Sequence, residues 1–266
     1  MRILNIVAGA KWTGVAAVVL DWTRALTEAG IEAQFAFVGS SPLAERVLPA
    51  GWARPLLTRN RGPAGILHDV RILRETVERE RFDILHVHLS HDHYLAVASR
   101  TGARLARTIH HRKQVRRDPL SRALFRRTDA FAFANRSIAE EFGAEGPVHS
   151  PVVDTGAFVP GVKPEDLLDR LGLRGAACVL GTVAKISRGR GHEQAMDAVA
   201  PLGDRSVLLH VGAGEHRPAL EARAAAMGAA QRNIWAGYQV EALPLFYRAM
   251  DVFVFTASGS QQGQRA

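Results

Sequence analysis

The chain has 266 residues, 47% of them hydrophobic and 23% charged, enough for one large or two ordinary globular domains with real cores. A single cysteine excludes an internal disulfide framework and fits a reducing compartment, and no apolar run approaches the roughly 18 residues of a membrane span. The formal net charge of +8 favours anionic partners: nucleic acid, acidic lipid or phosphorylated substrates.

The opening MRILNIVAGAKW places one Arg before a short apolar run, then a Lys and a Trp, and reads as a first strand rather than a signal peptide. Strand Ile3–Ala8 leads through a loop to a helix over Val15–Ala29, with Val15, Val18, Val19, Trp22, Leu26 and Ala29 on one side and Gly30 as its stop. Glu32–Val38 alternates toward a second strand. A looser segment follows, punctuated by Pro42, Pro49, Pro55 and Pro63, and then an amphipathic helix over Ile66–Arg79. Phe82–His88 is a strand, Tyr94–Ser99 a helix and Arg104–His110 another strand. Asp129–Ala134, Arg136–Phe142 and Pro147–Val153 read as strand, helix and last strand. Such alternation calls for a parallel sheet covered on both faces, so residues 1–155 form one doubly wound domain.

Residues 156–175 hold four glycines and two prolines around one short helix and read as a linker. A second series begins at Cys178, with strands Cys178–Ala184, Ser206–Val211, Asn233–Ala236 and Asp251–Thr256. Helices His192–Ala200, Arg217–Met227 and Glu241–Met250 lie between them. A doubly wound domain normally has five or six strands, so residues 176–266 are expected to be a partial second domain.

The stretch CVLGTVAKISRGRGH, Cys178–His192, carries the clearest chemistry. A buried strand feeds a turn rich in Gly and cations, which feeds a helix. Unpaired N–H groups and partial positive charge at the helix start suit a diphosphate, glycines allow close approach, and Lys185 and Arg190 can neutralise phosphate oxygens. The same residues also fit a surface crossover with solvated charges. In HVHLSHDHY, the residues His86, His88, His91 and His93 invite a metal reading. Ser90 stands where a metallohydrolase signature needs Asp, however, so a polar strand end is the competing reading. Between Arg104 and Arg127 there are nine Arg or Lys residues and one acid, Asp118, a pattern open to acidic lipid, to nucleic acid or to solvent.

Taken in order, the motifs resemble family-four glycosyltransferases of the GT-B fold. The first strand–loop–helix keeps Gly14 of a glycine pair. FDILHVHLS resembles the family's histidine-bearing strand, and Thr108-Ile109-His110 its "T-x-H" strand end. SPVVDTGAFVP is similar to its interdomain turn, and the Gly181–Gly191 run to its donor loop, with Lys185 and Arg190 in swapped order. Val211-Gly212-Ala213-Gly214 and Gly237-Tyr238 match two further motifs.

The resemblance implies two Rossmann-like doubly wound domains, the second incomplete. The first faces the acceptor and the second binds the nucleotide sugar. It implies retaining transfer of a hexosyl-type sugar from a nucleotide-diphosphate sugar to a glycan or lipid-linked acceptor in the interdomain cleft, without a metal or other cofactor. His110 would lie near the transferred sugar. Gly14, Gly181, Lys185, Arg190, Gly214 and Tyr238 would lie around the donor. Gln262 occupies the first position of the family's Glu-x7-Glu pair, whose second position falls beyond residue 266. A C-terminally truncated enzyme is therefore expected, cytoplasmic and peripheral to the inner membrane face through Arg104–Arg127, with no nucleic-acid partner. It would act in polysaccharide or lipopolysaccharide biosynthesis. The alternatives are a non-catalytic sugar-nucleotide-binding remnant and, further off, a metal-dependent hydrolase.

Overall fold

The computed structural model describes residues 1–9, 13–41, 44–47, 50–58, 62–149 and 152–257. The chain divides into a first unit within Met1–Val153 and a second from Asp154 onward.

In the first unit the elements run β1 (Arg2–Val7), α1 (Gly14–Glu28), β2 (Glu32–Val38), the single turn α2 (Ala44–Val47), β3 (Ala53–Leu57), α3 (Pro63–Glu80), β4 (Ile84–Val87), α4 (Ser90–Ser99), β5 (Arg104–Ile109), α5 (Pro119–Phe125), β6 (Ala130–Phe133) and α6 (Arg136–Phe142). The strands are all parallel, in the order β3-β2-β1-β4-β5-β6. One sheet face presents Leu4, Ile6, Leu85, Val87 and Leu105 to Leu73 and Val77 of α3 and Leu95 of α4. The other presents Val7, Phe35 and Phe37 to Val15, Ala16, Val19 and Leu20 of α1. Each fully buried side chain of this size contributes about 1.5–3 kcal/mol. Helix α1 starts where the Thr13 hydroxyl accepts from Ala16 N at 3.2 Å, supplying one of the partners that helix starts lack.

The largest departures from the sequence reading in this unit are three. The proline-punctuated segment contains β3, an edge strand, and Pro55 is tolerated there because the edge needs no donor on its open side. Helix α4 starts at Ser90, because the Asp92 carboxylate accepts from Leu89 N at 2.7 Å and closes the first turn. Of the last strand expected over Pro147–Val153, the described residues show an isolated bridge between Phe133 and Val148. Pro147 lacks the N–H a longer ladder would use.

The second unit runs α7 (Glu165–Arg170), β7 (Cys178–Val183), α8 (His192–Val199), β8 (Ser206–Val211), α9 (Arg217–Ala226), β9 (Asn233–Gly237), α10 (Leu243–Ala249) and β10 (Val252–Phe253). Its parallel sheet has the order β10-β7-β8-β9. Val179, Leu209 and Val211 pack on Leu243 and Phe246 of α10 and on Leu167, Leu168 and Leu173 from the Gly-rich stretch before β7. On the opposite face Leu180 and Leu208 pack on Ala195, Met196 and Val199 of α8 and Leu220 and Ala224 of α9. Both sheets are therefore covered on both sides, as parallel α/β sheets require.

Candidate functional site

In the second unit, the loop following β7 is held at the carboxyl edge of the sheet. Ala184 N donates to Val211 O (3.0 Å), Ile186 N to Ala213 O (2.9 Å) and His216 N to Ile186 O (3.1 Å). A side chain at Gly212 or Gly214 would collide with the Ala184 or Ile186 carbonyl, so these glycines let the two loops lie side by side. The loop ends at Gly191, the cap of α8, with φ of 84°. The Thr256 hydroxyl donates to Gly191 O at 2.5 Å, and a Cβ at Gly191 would strike the Thr256 backbone. Strand order reverses between β10 and β7, and this switch point is where open α/β sheets form a ligand crevice. Lys185, Arg190 and the start of α8 all belong to that edge.

Beneath this loop, His192, the first residue of α8, is fully buried. Its Nδ1 lies 3.1 Å from Nδ1 of His210 in β8. Asn233 Nδ2 donates to Ala229 O (2.9 Å), so its Oδ1 is the acceptor for His210 Nε2–H at 3.0 Å. His210 Nδ1 then accepts from His192 Nδ1–H. The His210 ring stacks on Trp235 at 4.0 Å, and burial pushes its pKa down to about 4. The pair is neutral at physiological pH and anchors α8.

In the first unit the α1-facing side of the sheet turns polar at β4 and β5. Asn5 and His86 are register partners, and His88 lies two residues further along the same face. His86 Nε2 meets Thr108 Oγ1 at 2.8 Å, and His88 Nδ1 meets His110 Nε2 at 3.1 Å. Trp22 of α1 covers the group, edge-on to His149 at 4.0 Å and about 6 Å from His86, His88 and His110. Gln114 locks the end of β5. Its Oε1 accepts from His110 N (2.7 Å) and His111 N (3.2 Å), and its Nε2 donates to His88 O (2.8 Å). Desolvation lowers His86 to about 4, His110 to about 3 and His88 well below its usual 6.5, so all three rings are neutral.

Asp92 closes the switch point of this sheet. Its buried carboxylate accepts from Ala8 N (2.8 Å) after β1 and from Leu89 N (2.7 Å) and His88 N (3.3 Å) after β4. Burial raises its pKa to about 7 despite those bonds. His93 points elsewhere, to Thr128 Oγ1 at 2.8 Å and to the buried Arg107 guanidinium. Among the described residues no three His, Cys, Asp or Glu side chains converge as a metal would need.

The sequence-selected residues thus fall in two places. Lys185, Arg190 and Gly214 come together on the second unit, and Tyr238, 59% exposed, follows β9 at the same edge. Lys185 Nζ is ion-paired to Glu215 at 3.0 Å, an exposed contact of small strength. Gly181 lies inside β7, where a side chain would collide with Met250. Gly14, on the first unit, opens α1, and among the described residues nothing lies within 4 Å of where a Cβ would stand. His110 lies at the carboxyl end of β5 and is 6% exposed. Gln262 lies outside the described residues. Asn5, Thr23, Asp92 and Gln114 were not selected from the sequence. Of these, only Asp92 left a signal, as an acid in the first turn of a helix.

The sequence model of Glycosyltransferase Family 4 matches residues 12–154. No curated protein matches the chain by sequence. Among solved structures, Anabaena HepE in complex with UDP and glucose superposes with a TM-score of 0.79 at 16% identity, covering 97% of this chain and 74% of its own. A Rickettsia africae glycosyltransferase gives 0.76 at 17% identity, with 96% and 72% covered. The lipopolysaccharide outer core galactosyltransferase WaaB gives 0.68 at 15% identity, with 97% and 74% covered. At these identities the superpositions establish the fold, two parallel α/β sheets of GT-B type, while the family match spans more than half of the sequence. The chain belongs to Glycosyltransferase Family 4.

Proposed function

We propose that the protein is a retaining glycosyltransferase that moves a hexosyl-type sugar from a nucleotide-diphosphate sugar to a glycan or lipid-linked acceptor. The observation that carries this reading is the β7–α8 loop, where Lys185, Arg190 and the first N–H groups of α8 gather at the sheet's switch point beside Gly212–Gly214. The leaving diphosphate gathers negative charge as the glycosidic bond breaks. Fixed cations and helix N–H groups aimed at that charge stabilise the transition state more than the ground state. With protein cations in that role, no metal is needed. Tyr238 is assigned to the nucleobase, and His110 to a hydroxyl of the transferred sugar. HepE, solved with UDP-glucose, supports a nucleotide sugar as donor, and WaaB supports a lipopolysaccharide-type acceptor.

The basic stretch adds a proposed peripheral site for anionic membrane at the cytoplasmic face. Leu120 in α5 is 56% exposed among Arg116, Arg117 and Arg122, the usual composition of a surface that docks on acidic headgroups. Arg107, from the same stretch, is buried and takes no part. Among the described residues no helix is long and apolar enough to cross a membrane.

The test is a donor panel of nucleotide sugars assayed for hydrolysis and transfer with and without a chelator. Turnover that survives the chelator is expected. Nucleotide binding without hydrolysis or transfer of any donor would instead support the sugar-nucleotide-binding remnant.

A further inference from the structure

The first unit contains a hydrogen-bond chain that begins in helix α1 and ends at His110. Thr23 Oγ1 donates its hydrogen to Val19 O at 2.8 Å, so the same oxygen can only accept from Asn5 Nδ2, at 3.1 Å. That contact fixes the Asn5 amide with Oδ1 toward His88 Nε2, at 3.4 Å. An amide oxygen cannot donate, so the proton sits on His88 Nε2. His88 Nδ1 is then left as an acceptor, and it faces His110 Nε2 at 3.1 Å. The proton of His110 is thereby placed on Nε2, and Nδ1 keeps its lone pair.

We infer that Thr23 and Asn5 are positioning residues: acting through His88, they hold His110 in the Nε2–H tautomer, so that its Nδ1 accepts a hydrogen bond from a substrate hydroxyl and rejects a phosphate oxygen. Each of Asn5, Thr23 and His88 is fully buried, in the layer between the sheet and α1 that elsewhere holds Val7, Phe35 and Phe37, and packing alone does not call for these polar groups. The other titratable groups acting on His110 are His149, His111, His86 and Arg107. All are imidazoles or a guanidinium, so none offers a carboxylate that would draw the proton to Nδ1. The inference rests on the assignment of His110 to a sugar hydroxyl, but the tautomer itself can be read without any turnover.

The experiment uses the full chain with isotope-labelled histidine. Two-bond nitrogen–proton correlation spectra at neutral pH report each ring's tautomer, and the His110 signals are those lost in His110→Gln. The expected result is an Nε2–H ring at both His88 and His110. Thr23→Val removes the acceptor for Asn5 Nδ2 and lets the amide turn. It should move part of the His110 population to the Nδ1–H form and lower transfer about tenfold, the loss of one hydrogen bond, with donor affinity unchanged. Thr23→Ser should restore both. An Nδ1–H ring at His110 in the unaltered protein would overturn the inference, a result that does not depend on whether Thr23→Val folds. A Thr23→Val spectrum identical to the parent would also overturn it. An Nε2–H ring in a protein that transfers no sugar would uphold the relay and sink the functional assignment instead.

Discussion

The two units each bury a pair of imidazoles, and the pairs are built alike. In each, an asparagine amide is oriented by a second hydrogen bond, its Oδ1 accepts from one ring, and that ring accepts from the next. In each, a tryptophan lies against the rings. What differs is position along the strand. His210 sits within β8, and its chain ends at His192 under the β7–α8 loop, where it anchors a helix. His88 and His110 sit at the carboxyl ends of β4 and β5, where strand gives way to loop and a ring nitrogen can meet a ligand. One device therefore supports a helix in one unit, and in the other it stands where our proposal places recognition of the sugar; position along the strand separates the two.

That contrast is sharpest in paired substitutions. His110→Ala should lower transfer on the order of 100-fold, the usual scale for a positioned polar group at a reacting centre, while leaving nucleoside-diphosphate affinity unchanged. His210→Ala should do the reverse. It removes a stacked ring and strands Asn233 Oδ1, at a cost of about 3 kcal/mol in urea unfolding, and donor affinity falls only as far as the loop loosens. Equal effects of the two on stability would erase the distinction.

Protonation breaks both pairs together. In the folded chain His86 and His210 titrate at about 4 and His93 and His110 at about 3, against an ordinary 6.5 when unfolded. Below pH 6.5 the unfolded state binds more protons, so the imidazoles cost stability as pH falls toward 4. Asp92 opposes them: its pKa is raised to about 7, so the stability it contributes is present below 3.8 and lost as pH rises to 7. Several imidazoles outweigh one carboxyl, and the midpoint of thermal melts should fall from pH 6.5 to 4. A flat or rising midpoint would mean that the rings are already charged in the fold.

A smaller effect concerns Lys185. Glu215→Gln removes its ion-pair partner and should raise diphosphate affinity by about threefold at low salt, with the gain fading at high salt. An unchanged affinity would mean that Lys185 keeps its present contact when donor is bound.

Both sheets and the β7–α8 turn were legible in the sequence because local signals encode them: apolar strands, a Gly- and Arg-rich turn, helix periodicity. Strand β3 was not, because Pro55 reads as a breaker and only its edge position excuses it. The start of α4 was hidden because the histidine-rich HVHLSHDHY drew a metal or strand-end reading, whereas Asp92 within it caps a helix and ties two loops. Gly181 reads as part of a ligand motif, and in the fold it also makes room for Met250. The relay behind His110 joins residues from α1, β1 and the ends just after β4 and β5, and no spacing in the sequence brings Thr23, Asn5, His88 and His110 together.

The central claim, that the β7–α8 loop holds a diphosphate, is tested most directly by calorimetric titration of nucleoside diphosphates and monophosphates. The titrations would use the unaltered chain and Lys185→Ala and Arg190→Ala variants. The account predicts that diphosphates bind more tightly than monophosphates and that each variant loses about tenfold for the diphosphate, near the strength of one charge-assisted hydrogen bond. Diphosphate binding that neither substitution alters, or no preference for the second phosphate, would contradict it.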